Sequence, residues 1–245
     1  MDTQELLERT YNLSKKLADR SAVERINKVQ NAGKRIQMCV STNLLLDTFE
    51  AFEEYRSLLN EQNAFKNSKV SLSLLTRYIF ESYVNFLYIF KAKKTDVQKR
   101  TKAFYNYGDY KKGIMQGKEE LENEKREWSK YLPPKGKSTQ WHGQSFQQLC
   151  KEANYKPIVY QALSQFSHPG IFTFERVLNT EIFEGIVEDS VLFTSAAVFD
   201  MMAYANKYKL YGLKLGANNE REIRALIKSH DDCLNELRKA KLKGA

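Results

Sequence analysis

The stretch Ser71–Phe90 reads SLSLLTRYIFESYVNFLYIF, and the fold turns on how it is read. Apolar residues surround a helical projection of it almost completely, so a helix here belongs in a core. Against that background Arg77, Glu81 and Asn85 fall at i, i+4 and i+8 and share one face. An arginine and a glutamate in so apolar a helix must be paired, because a buried lone charge carries a large desolvation penalty. The order Arg then Glu is the weaker one for helix stability, so a local gain to the helix does not account for the pair. A second polar line, Tyr160, Ser164 and His168, also advances in four-residue steps. The expectation is that the two lines face each other inside a bundle.

Moving outward, helical spacing recurs along the chain. Leu6, Leu7, Tyr11, Leu17, Ala22, Ile26 and Val29 mark a first helical segment over residues 3–31, interrupted by Gly33. Ile36, Val40, Leu44, Phe52, Tyr55 and Leu59 mark a second over 34–62, and the central helix runs from a cap at Ser68 to about Ala92. Residues 91–118 continue as helix with breaks expected near Gly108 and Gly113, followed by a charged helix over 119–131. Pro133, Pro134 and Gly136 then form a loop that reaches His142. Ser145 caps a short helix to Ala153, and Pro157 opens another that His168, Pro169 and Gly170 close. A long apolar helix covers about 181–209 and a charged one about 219–241. The fold class is therefore all-α, a bundle of six or more helices without significant sheet. Residues 1–67 form an N-terminal helical region packing on a helical core of residues 68–245, or the two make one continuous domain.

Composition narrows the function classes. With 4 prolines and 11 glycines in 245 residues, turn formers are too scarce for many short strands, and 42% hydrophobic residues suffice for a real core. Cys39, Cys150 and Cys233 are far apart and include no C-x-x-C pair, which points to a reducing compartment and away from a disulfide scaffold or zinc ribbon. The polar start MDTQELLERTYNLSKK lacks a signal-peptide core. Ser71–Phe90 has the length of a membrane span, but Arg77 and Glu81 near its middle argue against one. A cytoplasmic protein with no membrane contact, cofactor or metal is expected. His230 with Cys233 lacks partner ligands. A net charge of +9 permits a nucleic-acid or acidic partner without demanding one.

The candidate site residues each carry two readings. Arg77 can stabilise charge on a phosphate or carboxylate while Glu81 orients it or acts as base; the bland reading is a structural ion pair setting helix register. His168 titrates near neutrality and can exchange a proton; the bland reading is a helix-end cap. Asn85, Tyr160, Ser164 and Trp141 are candidate pocket residues, with Trp141 the anchor of its loop and His142 beside it exposed. Between Lys91 and Lys118, nine basic residues stand against Asp96 and Asp109 and interleave with tyrosines. Lys99, Arg100, Lys102, Tyr105, Tyr107, Lys111 and Lys112 form a candidate nucleic-acid surface, cations for phosphates and rings for unpaired bases. Tyrosines lying over core on a solvated face are the alternative.

Taken in order, R-x-x-x-E at Arg77 and Glu81, the tyrosines around Tyr105, Trp141, and Y-x-x-x-S-x-x-x-H at Tyr160, Ser164 and His168 resemble the bacterial family of unknown function DUF5677, over about Ser68–Gly170. The resemblance implies that the two polar lines belong to one cluster. More loosely, the chain resembles HEPN-type helical ribonucleases and abortive-infection proteins, which cut RNA without metal through an R-x(4–6)-H motif. At His168, Tyr160 and Ser164 precede the imidazole instead, so Arg77 would come from another helix. Two functions follow as expectations. One is a nucleic-acid-acting protein of bacterial defence, in its enzymatic form a metal-independent endoribonuclease using Arg77, Glu81 and His168, with RNA or another single-stranded nucleic acid as partner. The other is a non-catalytic helical interaction module whose polar cluster is structural, and whose partner is a protein or a second copy of the chain.

Overall fold

The computed structural model describes residues 3–17, 21–60, 69–117, 122–130, 141–153 and 180–210, with the single positions 221 and 225. Its helices are α1 (Thr3–Leu17), α2 (Ser21–Asn27), α3 (Ala32–Asn60), α4 (Lys69–Phe90), α5 (Lys94–Met115), α6 (Glu122–Ser129), α7 (Phe146–Glu152) and α8 (Thr180–Lys207). No strand occurs among the described residues, and the architecture is an all-α multi-helix bundle.

The apolar run that opened the sequence is the centre of the bundle: α4 packs against α3, α5, α7 and α8. From Ser82 to Phe90 every side chain of α4 except Asn85 is buried. Its N-terminal half reaches the surface, with Leu74 and Tyr78 exposed. On α3 the buried positions Val40, Leu44, Phe49, Phe52 and Tyr55 recur at three- to five-residue intervals and form the stripe that meets α4 and α8. Phe52, Phe80, Phe86 and Phe199 lose all or nearly all solvent contact. Truncating any of them to alanine costs about 3–5 kcal/mol, the usual toll for a phenylalanine-sized cavity.

Polar side chains inside these helices are mostly satisfied locally. Thr48, Thr76, Thr101 and Thr194 each donate a hydroxyl hydrogen bond to the carbonyl four residues earlier, which allows threonine inside a helix–helix interface. Tyr55 bonds Ser190, Tyr83 donates to Asp200 at 2.8 Å, and Tyr204 donates to the carbonyl of Phe90, so hydroxyls tie α8 to α3 and α4.

Three boundary expectations are corrected. Gly33 lies inside α3 and breaks nothing; the interruption falls just before it, and the Asn31 carboxamide accepts from the Lys34 backbone N–H at 2.9 Å to cap the new helix. Helix α5 runs unbroken through Gly108 and Gly113, and the break sits instead at residues 91–93. A mid-helix glycine costs roughly 1 kcal/mol, a weak preference that the packing of α5 on α3, α4 and α6 overrides. The first helical segment is two helices, α1 and α2. By contrast, the short helix after Ser145 stands as expected, its Ser145 hydroxyl accepting from the Gln148 N–H at 3.3 Å. The helix opened by Pro157, the loop at Pro133–Gly136 and the bulk of the charged helix at 219–241 fall outside the described residues.

Candidate functional site

The polar line of α4 opens onto a cavity of about 550 Å³. Arg77, Glu81 and Asn85 form one wall. Phe104, Tyr107, Gly108 and Lys111 form a second, at the three- and four-residue spacing that places them on one face of α5. The segment from Trp141 to Phe146 closes the third side.

Arg77 Nε donates to Glu81 Oε1 at 2.8 Å, so the pairing expected from the sequence holds. Burial does not: the two side chains are 24% and 35% exposed, because the stripe lines a solvent-reached cavity and not the core. Continuing along α4, Asn85 Nδ2 donates to the Glu81 carbonyl at 2.8 Å and its Oδ1 accepts from the Trp141 indole at 3.3 Å. Trp141 is 5% exposed, edge-on to Phe104 and Tyr88 with ring centroids 5.0 and 5.6 Å away. It therefore anchors its segment, as the sequence suggested, and its buried ring serves as floor, not as a stacking platform. The accessible ring surface comes from the partly buried Phe104, Tyr107 and Phe146.

His142 overturns its expectation of exposure. It is buried at 5%, lines the cavity, and stands edge-on to Trp141 at 5.4 Å. Burial pushes its pKa down to about 4, against a weaker opposing backbone contribution from Gln144, so the imidazole is neutral at pH 7. The Gln144 N–H approaches Nδ1 at 3.4 Å, which assigns Nδ1 as acceptor and Nε2 as the proton carrier. The turn that tucks Trp141 and His142 inward needs Gly143, whose φ of 67° is in the left-handed region. A glycine two residues before a capping serine is the signal in W-H-G-Q-S that could have revealed this histidine. Gln144 adds a buried amide nitrogen without a hydrogen-bond partner.

Cys150, fully buried behind the α4 wall, has its pKa pushed up to about 11, first by burial and also by the nearby Glu81 charge. It is a protonated packing residue at neutral pH, not a nucleophile.

The basic tract of α5 divides. Tyr107 and Lys111 belong to the cavity, the Lys111 ammonium lying 5.5 Å from the Tyr107 ring centroid. Arg100 is committed to structure: it donates to the Tyr88 carbonyl at 2.6 Å, pairs with Glu152 at 3.4 Å, and lies 3.7 Å over the Tyr88 ring. Lys99, Tyr105 and Lys112 are exposed and Lys102 half-buried, on other faces of the helix. Tyr160, Ser164 and His168, the second polar line, lie outside the described residues.

Among the described residues no helix is long and apolar enough to cross a membrane. A model of a family described as a family of unknown function, DUF5677, matches residues 38–185, more than half of the chain and all of the described cavity wall. No curated protein and no solved structure matches it.

Proposed function

We propose, for a chain that belongs to the DUF5677 family, that it acts on single-stranded nucleic acid and seats one unpaired nucleotide in the α4–α5 cavity. One observation carries the reading: two cationic side chains, Arg77 and Lys111, share a single cavity with the rings of Phe104, Tyr107 and Phe146. Cations meet phosphate, partly exposed rings meet the base face, and a volume of about 550 Å³ suits a ligand of that size. The neutral His142 offers an Nε2–H without adding a third cation beside Arg77 and Lys111, whose charge the Glu81 carboxylate partly offsets. Lys99, Lys102, Tyr105 and Lys112 on the outer faces of α5 act as tether to the rest of the strand. The protein's setting is bacterial defence, a part of the proposal that rests on the resemblance to abortive-infection proteins.

Anisotropy titration of labelled oligo(U) and oligo(dT) tests the binding. Arg77→Ala and Lys111→Ala should each weaken binding about tenfold or more, in line with loss of a charge-assisted phosphate contact of about 1.5–3 kcal/mol. Wild-type affinity in both variants sinks the proposal.

The enzymatic form is a metal-independent ribonuclease in which Arg77 and Glu81 work with His168. Its support is the looser resemblance to HEPN-type enzymes. The R-x(4–6)-H spacing that those enzymes use does occur once, from Arg224 to His230, which also lie outside the described residues. Incubation with mixed RNA in EDTA tests this form: cleavage by the wild type that His168→Ala and His230→Ala leave unchanged, or no cleavage at all, ends it.

A non-catalytic interaction module remains the second reading. What favours it is Asn85, whose amide is bonded at both ends within the protein, to the Glu81 carbonyl and the Trp141 indole, as a structural network would have it.

A further inference from the structure

Four helix ends meet at one pole of the bundle, remote from Arg77 along α4. The start of α3 reaches the end of α8, where Lys34 Nζ donates to the Tyr208 carbonyl at 3.3 Å. The end of α4 is tied to α8 by the Tyr204 hydroxyl on the Phe90 carbonyl and by Lys91 with Asp200 at 3.0 Å. The start of α5 comes against the start of α3, where the Gln98 carboxamide lies 3.5 Å from the position a Gly33 Cβ would take. The convergence gathers Arg35, Lys91, Lys93, Lys94, Lys207 and Lys209, all exposed, around the partly buried Lys34. The acidic groups on these helix ends are Asp96 and Asp200, and Asp200 is already held by Lys91 and Tyr83.

Two details set this pole apart from an ordinary solvated basic surface. Tyr208 is 47% exposed, with Tyr204 behind it at a centroid distance of 4.4 Å and the Lys207 ammonium 5.4 Å from its ring. An aromatic ring supported by a second ring, with a cation beside it, is the arrangement that takes an unpaired base beside its phosphates. Lys209 holds a φ of 51°, in the left-handed position that closes α8, with the Leu210 N–H bonded back to the Ala205 carbonyl at 2.8 Å. Glycine adopts that conformation without steric penalty, and lysine does not. A cation stands there at the expense of the helix end.

We propose that this pole is a second polynucleotide-binding surface, taking the phosphate backbone of a single strand on Arg35, Lys93, Lys207 and Lys209 with a base stacked on Tyr208. A lipid headgroup surface is the less favoured partner, since among the described residues the pole presents a ring beside a cation and no exposed aliphatic side chain to insert. The inference does not rest on the cavity reading, because none of these residues lines the cavity.

Lys209→Gly gives the sharpest test. It should hold or raise the melting temperature while weakening oligo(U) binding several-fold, whereas a merely structural lysine would leave binding unchanged. The triple variant Arg35→Gln, Lys93→Gln, Lys207→Gln should flatten the slope of log K against log salt by roughly 2, at about 0.7 for each phosphate no longer neutralised. Tyr208→Leu should weaken binding without changing that slope. Unchanged affinity in Lys209→Gly and in the triple variant, with both folded as the wild type, overturns the proposal. So does equal binding to duplex DNA, or tighter binding to vesicles of phosphatidylcholine and phosphatidylserine than to the strand. Gly108→Leu, which fills the cavity, serves as the separate arm: the pole's salt slope should persist in it even where the cavity reading fails.

Discussion

His142 is a neutral imidazole inside a pocket that also holds two cations, and its cost appears on acidification. Its pKa is about 4 in the fold against 6.5 in the unfolded chain. Between those values the unfolded state binds the extra proton, so stability is intact above pH 6.5 and is lost as pH falls toward 4, at no more than about 1.4 kcal/mol per pH unit. Urea midpoints measured across that range should fall in the wild type, and His142→Asn should flatten that part of the dependence. Arg77 sits at the same scale with the opposite expectation. As an i, i+4 pair in the weaker orientation and one-quarter to one-third exposed, Arg77–Glu81 contributes under about 1 kcal/mol. Arg77→Ala should therefore shift the melting temperature by only a few degrees while binding falls. A loss of several kcal/mol would mark the pair as a structural network and favour the interaction-module reading.

At the scale of elements, what periodicity governs was legible and what packing governs was not. Arg77, Glu81 and Asn85 could be placed on one wall because four-residue steps on an apolar helix leave no other arrangement. The Ser145 cap was legible for the same local reason. His142 was not, since its burial depends on a left-handed turn at Gly143 and on Trp141 meeting Asn85, a contact between residues 56 positions apart. The breaks expected at Gly108 and Gly113 failed because glycine's preference is small beside the packing along α5. Gly108 consequently has a double value. A Cβ built there meets nothing within 4 Å, so Gly108→Ala should stabilise α5 by about 0.5–1 kcal/mol, read from chemical denaturation. Destabilisation would mean that the helix needs the glycine.

On the scale of the whole molecule, the cations behind a net charge of +9 fall into separate groups. Arg100 is committed to packing α5 on α4 and α7, Arg77 and Lys111 enter the cavity, and the converging helix ends gather a further set at one pole. The bundle fixes α4 from four sides, and the polar stripe of Arg77, Glu81 and Asn85 forms one wall of the cavity. The proposed occupant of that cavity is a single unpaired nucleotide. The most direct measurement of that occupancy is oligo(U) affinity of Gly108→Leu beside the wild type, with the melting temperature of each recorded. A side chain filling the space between α4 and α5 should cut affinity at least tenfold while the protein stays folded. Wild-type affinity in a folded Gly108→Leu protein would contradict that occupancy.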